Sequence, residues 1–252
     1  MLNIVIPMAG LGSRFANAGY RDPKPLIPIH GVPMIRLVIE NIRPAEPHRF
    51  VFICQRAHVA AAGLEEKLAA WAPGCRIVQL DGLTDGAART VLAARAIIDG
   101  DAPLMIANSD QYVETDIDAY LDDMRRRRLD GLIMTMEADD PKWSFAALDA
   151  EGLVTEVAEK RVISRHATVG IYNFGRGADF VRGAERMIAR DLRVNGEFYV
   201  APVYNEMIAA GSRIGVRAVG DAGRGMHGLG IPADLDAFLA LPLARAAAGA
   251  LA

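Results

Sequence analysis

A three-layer α/β/α fold around a mostly parallel central sheet, with a small additional β region, is what this sequence predicts, and three features predict it. Over the first half of the chain, strand-length apolar runs alternate with stretches of helical periodicity, the pattern of parallel strands joined by crossover helices on both faces of a sheet. After Asp110 the rhythm changes to closely spaced strands, which supply the additional β region. The segments richest in Gly, Pro and charge follow Ile6, Leu80 and Ala107, where loops at the carboxyl ends of parallel strands would lie. At 252 residues, with no internal repeat or linker, the chain is expected to form one domain, 1–252.

The first strand, Ile4–Pro7, belongs to the run Leu2-Asn3-Ile4-Val5-Ile6-Pro7 directly after Met1. No charged segment or cleavage site precedes it, so it reads as part of a mature fold and not as a signal peptide. Met34, Leu37, Val38 and Ile42 share one face of a helix. Phe50–Cys54 and Arg76–Leu80 follow as strands; Val91, Leu92, Arg95 and Ile98 as a second helix; and Leu104–Ala107 as a fourth strand. The run Arg125–Arg128 suits a solvated helix end, favourably placed against the helix dipole, better than a nucleic-acid patch. Strands are then expected at Leu132–Glu137, Phe145–Asp149 and Leu153–Ala158, the last two joined by the turn Asp149-Ala150-Glu151-Gly152. Thr168–Phe174 reads as a strand, Ala178–Ala189 and Tyr199–Ala210 as helices, and Arg213–Val219 as another strand. A helix from Pro232 should turn Leu235, Phe238 and Leu239 inward, and Pro242, lacking an N–H, should end or kink it. The Ala-rich tail is expected as a short helix or a frayed terminus.

Composition narrows the function. A formal charge of −3 provides no basic field for nucleic acid or an anionic membrane. No apolar run approaches the roughly 20 residues of a membrane helix. Cys54 and Cys75 lie far apart without metal-ligand spacing and read as free thiols, so a reducing cytoplasm is the expected compartment. Association with a second copy of the chain stays open.

Chemistry concentrates after the first strand, in Met8-Ala9-Gly10-Leu11-Gly12-Ser13-Arg14-Phe15 and then Asp22-Pro23-Lys24-Pro25-Leu26. Glycines let backbone N–H groups approach phosphate oxygens with no Cβ in the way. Arg14 offers a planar fork for phosphate and Lys24 a point charge. Phe15 stands where a dinucleotide fingerprint needs its third glycine, and no Gly-Lys-Ser/Thr is present for a Walker loop. By itself, Gly-Leu-Gly fits a tight strand-to-helix turn as well as a phosphate cradle.

Together, Gly-x-Gly-x-Arg-Phe and Pro-Lys-Pro-Leu-Ile-Pro-Ile-His-Gly-Val-Pro-Met resemble the start of the sugar-phosphate nucleotidyltransferases, and Asn3–Glu40 is similar to the capsule and lipopolysaccharide members. The resemblance implies a GT-A-like nucleotide-binding fold in which Gly10, Gly12, Arg14 and Lys24, with Met8, Ala9, Leu11 and Ser13 around them, hold a nucleoside triphosphate and the leaving pyrophosphate. Thr84-Asp85-Gly86-Ala87-Ala88 resembles the family's segment beside the nucleobase, with Gly86 and Ala87 against the base. Asn108-Ser109-Asp110 ends a buried strand as the family's metal-binding aspartate does, which implies Mg2+ on Asp110. Glu159 and Lys160 match a Glu-Lys pair that takes acceptor hydroxyls and acceptor phosphate. Thr168-Val169-Gly170-Ile171-Tyr172 resembles a strand whose glycine admits the acceptor, and Asn195-Gly196-Glu197-Phe198-Tyr199 another acceptor segment, so Gly170, Glu197 and Tyr199 are expected at that end.

One departure stands out. Where the family commonly has Asp-x-Gly-Thr-Pro, with the aspartate as second metal ligand, this chain has Gly228-Leu229-Gly230-Ile231-Pro232. Magnesium keeps waters and leans on substrate phosphates, so Asp110 with a triphosphate can suffice. His227 next door is either a ligand or a structural histidine. The implied reaction is attack of an acceptor phosphate oxygen on the α-phosphorus of a nucleoside triphosphate, CTP or UTP favoured, with loss of pyrophosphate. The acceptor is a sugar phosphate or similar small phosphorylated metabolite. Three other readings remain at this point: a cytidylyltransferase for a non-sugar phosphate, a metal-dependent glycosyltransferase of similar fold, and a non-catalytic nucleotide sensor.

Overall fold

The computed structural model describes residues 1–251. Its strands are β1 (Leu2–Pro7), β2 (Pro28–Ile29), β3 (Val32–Pro33), β4 (His48–Gln55), β5 (Arg76–Leu80), β6 (Leu104–Ala107), β7 (Gln111–Val113), β8 (Gly131–Glu137), β9 (Ser144–Leu148), β10 (Val154–Glu159), β11 (His166–Phe174), β12 (Ile214–Ala222) and β13 (Gly225–Gly228). The helices are α1 (Ser13–Asn17), α2 (Met34–Asn41), α3 (Arg56–Ala62), α4 (Leu64–Trp71), α5 (Ala87–Leu92), α6 (Arg95–Ile98), α7 (Ile117–Arg126), α8 (Gly177–Ala189), α9 (Val203–Ala209), α10 (Pro232–Leu239) and α11 (Pro242–Gly249). None of the described helices is long and apolar enough to cross a membrane.

One large sheet runs in the order β5-β4-β1-β6-β11-β8-β12-β13-β7, and the hairpin β9-β10 joins it beside β11. β1 pairs in parallel with β4 on one side and β6 on the other, and β4 pairs in parallel with β5. β11 runs antiparallel to both β6 and β8. Alternation along β1 sends side chains to both faces. Ile4 and Ile6 meet Ile35, Val38 and Ile39 of α2, while Val5 meets Val91 of α5 and Val181 of α8 through the opposite core. A helical layer on each side of the sheet follows.

A third core lies apart from these two. Phe15, Ile27, Met34 and Leu37, from the segment after β1, pack against Leu229, Leu235, Phe238 and Ala244 from the far end of the chain. The inward residues of α10 therefore brace the N-terminal loop, and Phe238 also packs on Tyr112 of β7 and His227 of β13 at the sheet edge. Pro242 starts α11 after an extended Leu241, so it divides two helices, using the position where its missing N–H costs nothing.

Several elements differ from expectation. The helix expected through Val91–Ile98 is two, because Ala93 and Ala94 donate to Thr90 and Val91 in tight three-residue turns. The helix expected from Tyr199 begins at Val203, since Pro202 disfavours helical backbone in the residue before it. Arg125 and Arg126 end α7 as expected, paired with Asp122 and Asp123 one turn back.

Because Phe238 is 1% exposed in the third core, Phe238→Ala is expected to cost about 3–5 kcal/mol in urea unfolding. A loss under about 1 kcal/mol would mean that α10 is not part of the cooperative unit.

Candidate active site

The loop after β1 is held close to the sheet at its start and freed at its tip. The Met8 N–H donates to Ile53 O at 2.9 Å, Met8 and Ala9 are buried, and Gly10 is exposed. Gly12 caps α1 at φ 64°, and a Cβ there would lie 3.1 Å from Lys24 Cβ. Left-handed backbone and close approach both require glycine at this position. Arg14 is the second residue of α1, and Lys24 opens the short 3-10 turn Lys24–Leu26. Phe15 between them is anchored in the third core, edge-on to Tyr20 at 5.1 Å.

The loop after β5 is tied to this one. The Gln55 side-chain amide, at the end of β4, donates to Ala9 O at 2.9 Å and to Gly82 O at 3.0 Å. The Thr84 and Thr90 hydroxyls meet at 2.5 Å, one donating to the other, and both lie within hydrogen-bond reach of Gly86 O, which accepts from the one whose hydrogen is free. Gly86 sits at φ 118° with the Phe198 backbone directly against it, where a side chain would collide. Phe198 N donates to Asp85 O at 2.8 Å and Ala88 N to Phe198 O at 3.0 Å, so the Thr84–Ala88 loop and the Asn195–Tyr199 segment are stitched together.

The third loop follows β6. Asn108 N donates to Gly170 O at 3.0 Å, across the irregularity where β11 slips register against β8. Asp110 O accepts from Leu229 N at 2.8 Å, and its carboxylate forms an ion pair with Lys24. These three loops enclose a cleft of about 560 Å³ at the carboxyl ends of β1, β5 and β6. Met8, Ala9, Gly10, Gly12, Arg14 and Lys24 line one wall; Gly86 and Ala87 line a second; Asp110 and Glu197 complete it. Leu11 turns instead into a neighbouring groove of about 180 Å³, and Ser13 is exposed at the start of α1. Leu83 and Thr90 also line the cleft, and Gln55 braces it from below. Sequence reasoning did not single these out, because an isolated polar or apolar residue beside a loop forms no pattern.

The loop carrying Gly228 is now defined. β13 runs antiparallel to β7, setting Gly228 opposite Gln111. A Cβ on Gly228 would lie 3.3 Å from the Asp234 carboxylate, and one on Gly230 only 2.7 Å from that of Asp110. His227 is buried and bonded through Nε2 to Glu114 at 2.7 Å. That bond and the Gly225 N–H hold Glu114 below the usual carboxylate range. His227 thus braces the sheet edge and does not line the main cleft. No group of three or more His, Cys, Asp or Glu that could hold a metal occurs among the described residues. One carboxylate in a phosphate-sized cleft fits a magnesium ion that brings its own phosphate oxygens, the mode in which one or two protein carboxylates suffice.

The remaining residues form a second constellation beside the cleft. Lys160, at φ 53°, donates to the Tyr199 hydroxyl at 2.7 Å, and its ammonium lies 5.0 Å from that ring's centroid. The hydroxyl contact raises the Lys160 pKa above the usual lysine range. Glu159 accepts a hydrogen bond from Ser144, while burial pushes its pKa up. Beneath it, the Thr168 and Tyr172 hydroxyls meet at 3.0 Å. Glu159, Lys160, Gly170 and Tyr199 thus stand outside the main cleft wall, connected to it through Phe198, Glu197 and Asn108.

Because folding raises the Glu159 pKa, its ionised form costs stability near neutral pH, and the cost disappears below the unfolded value of about 4.3. Glu159→Gln is therefore expected to raise the melting temperature at pH 7. Melting curves at pH 7 and pH 4 check this: the gain should vanish at the lower pH, and a gain of equal size at both would reject the cause.

Residues 4–185 match the family model described as nucleotidyl transferase. Among solved structures, the nucleoside-diphosphate-sugar pyrophosphorylase from Vibrio cholerae RC9 aligns with a TM-score of 0.78 at 28% identity, covering 94% of this chain and 100% of that one. The inositol-1-phosphate CTP transferase from T. maritima aligns with a TM-score of 0.73 over 94% of each chain, a likeness of fold alone at 13% identity. Among curated proteins, the bifunctional protein GlmU of Burkholderia orbicola (strain MC0-3) is 27% identical over 226 residues, 84% of this chain but 46% of the relative. The chain thus spans about half the length of that relative.

Proposed function

This chain belongs to the nucleotidyl transferase family and is an enzyme of that type, and from that premise we propose that it joins a nucleoside monophosphate to a sugar phosphate, releasing pyrophosphate. The observation that carries the reading is the convergence of Arg14, Lys24, Gly10, Gly12 and Asp110 on one cleft, with Lys160 as a separate cation beside it. Two phosphate-bearing substrates need two cationic subsites. The name of the Vibrio cholerae neighbour supports the sugar class of acceptor.

In this reading the triphosphate enters between the glycine loop and the Thr84–Ala87 loop. Lys24 exchanges its ion pair with Asp110 for a phosphate, and Arg14 takes the leaving pyrophosphate. Asp110 would hold a magnesium ion, which would supply positive charge to neutralise the phosphates. Lys160 holds the acceptor phosphate and Glu159 accepts from acceptor hydroxyls. A phosphate oxygen is already anionic at neutral pH, so it attacks the α-phosphorus without a general base. The protein's task is to position two mutually repelling anions and stabilise the leaving charge. CTP or UTP is the expected donor, and the product suits capsule or lipopolysaccharide assembly.

The test is a matrix of the four nucleoside triphosphates against phosphorylated sugars and alcohols, scored by pyrophosphate release. Release with a phosphosugar is expected. Release only with phosphorylated alcohols would move the acceptor class, and consumption of a nucleotide sugar without pyrophosphate release would overturn the reaction. Arg14→Ala and Lys24→Ala are each expected to lower turnover by roughly 10²-fold or more, and Asp110→Asn to nearly abolish it. Steady-state kinetics within a few-fold of the parent in all three would remove these residues from the machinery. Lys160→Ala should raise the acceptor KM and leave nucleotide affinity, measured by calorimetric titration, nearly unchanged; the reverse result would exchange the two half-sites.

A further inference from the structure

Asp85 projects away from the cleft, yet it is the point at which the two halves of the site are fastened together. One carboxylate oxygen pairs with Arg89 Nε at 2.6 Å and the other with Arg193 Nη1 at 2.8 Å. Both guanidinium groups also lie over the ring of Phe198, Arg193 at 4.2 Å and Arg89 at 5.5 Å from its centroid. The Asp85 carbonyl accepts the Phe198 N–H, so side chain and backbone of one residue hold the same partner segment. That segment is stiff. Val194 and Glu197 exchange two backbone hydrogen bonds of 3.0 Å around Asn195 and Gly196, both at positive φ, as in a two-residue hairpin turn.

The residues on either side of Phe198 face different halves of the site. Glu197 lines the main cleft, Phe198 is fully buried, and Tyr199 receives the Lys160 ammonium. The Asp85–Ala88 loop is therefore joined to Tyr199, and through it to Lys160, by a continuous path of hydrogen bonds and packed groups. We infer that Asp85 is a positioning residue that couples the two substrates: a nucleotide seated against Gly86 and Ala87 orders the Lys160–Tyr199 subsite through the Arg89–Asp85–Arg193 bridge. Ordering by the first ligand lowers the entropic cost of the second, which gives positive coupling without a change of fold. The inference rests on the assignment of the cleft to nucleotide and of Lys160 to acceptor.

Hydrogen exchange on the full chain, with magnesium and each of the four nucleoside triphosphates, tests it without an acceptor. In the parent, nucleotide is expected to slow exchange both at 82–90 and at 198–203; in Asp85→Asn, only at 82–90. Arg193→Gln removes the same bridge from the exposed side and should behave alike if Asp85→Asn fails to fold. In turnover with the phosphosugar accepted, Asp85→Asn should raise the acceptor KM at saturating nucleotide about tenfold, within the usual range of coupling, with the affinity for nucleotide alone, by calorimetric titration, within threefold and Asp85→Glu restoring part of the loss. A role in stability alone would lower the melting temperature and leave the acceptor KM and the nucleotide affinity unchanged. Protection at 198–203 that persists in both variants, or that is absent from the parent while 82–90 is protected, overturns the coupling. No protection at 82–90 with any triphosphate defeats the assignment of the cleft instead.

Discussion

The parallel pairing of β1 with β4 on one side and β6 on the other is the constraint from which the site follows. Parallel strands deliver their carboxyl ends to the same edge, so the segments after Pro7, Leu80 and Ala107 converge however distant they are in sequence. Convergence alone leaves the loops free to splay. The Gln55 amide prevents this by spending both of its N–H groups on carbonyls of two different loops. Buried in that position, either hydrogen bond left unmade would carry a desolvation cost, which is why so small a group can set the spacing of two loops.

The electrostatics of the cleft follow a related logic. Lys24 and Asp110 satisfy one another, so neither stands as a bare charge in a partly enclosed site. The many surface pairs, such as Arg56 with Asp81, contribute little because water competes for both partners. Glu159 sits at the other extreme, its carboxyl partly withdrawn from water and supported by Ser144, so its ionised form is held at some expense of stability.

Legibility in the sequence tracked the length and regularity of each element. β5 and β6 coincide with their expected limits because short apolar runs bounded by Gly, Pro or Asp have few other readings. The β9-β10 hairpin was legible from Asp149 and Gly152 at its turn. β7 and β13 were not, since three- and four-residue strands containing Gln111, Tyr112 and His227 carry no periodicity and are defined by pairing, β7 with β13 and β13 also with β12. At the site, the glycine loop, Arg14, Lys24 and Asp110 stood out through their spacing, and the structure brings them to one cleft. Gln55 and Thr90 left no trace, because what they do depends on carbonyls contributed by remote segments. Asp85 was visible only as part of a loop motif; its pairing with Arg193 is a long-range contact.

The third core also has a consequence for how the molecule comes into being. Arg14 and Lys24 sit on a segment whose apolar side, through Phe15 and Ile27, is covered by Leu229, Leu235, Phe238 and Ala244. During synthesis the first strands leave the ribosome long before those residues exist. At about 5–20 residues per second, the glycine loop waits some tens of seconds for its cover. Through that interval Phe15 and Ile27 have no partner from α10, and the cations of the cleft have no fixed address. The nascent chain is thus without a finished site until α10 and Ala244 have been made, and the apolar underside of its glycine loop is the surface a chaperone would meet first.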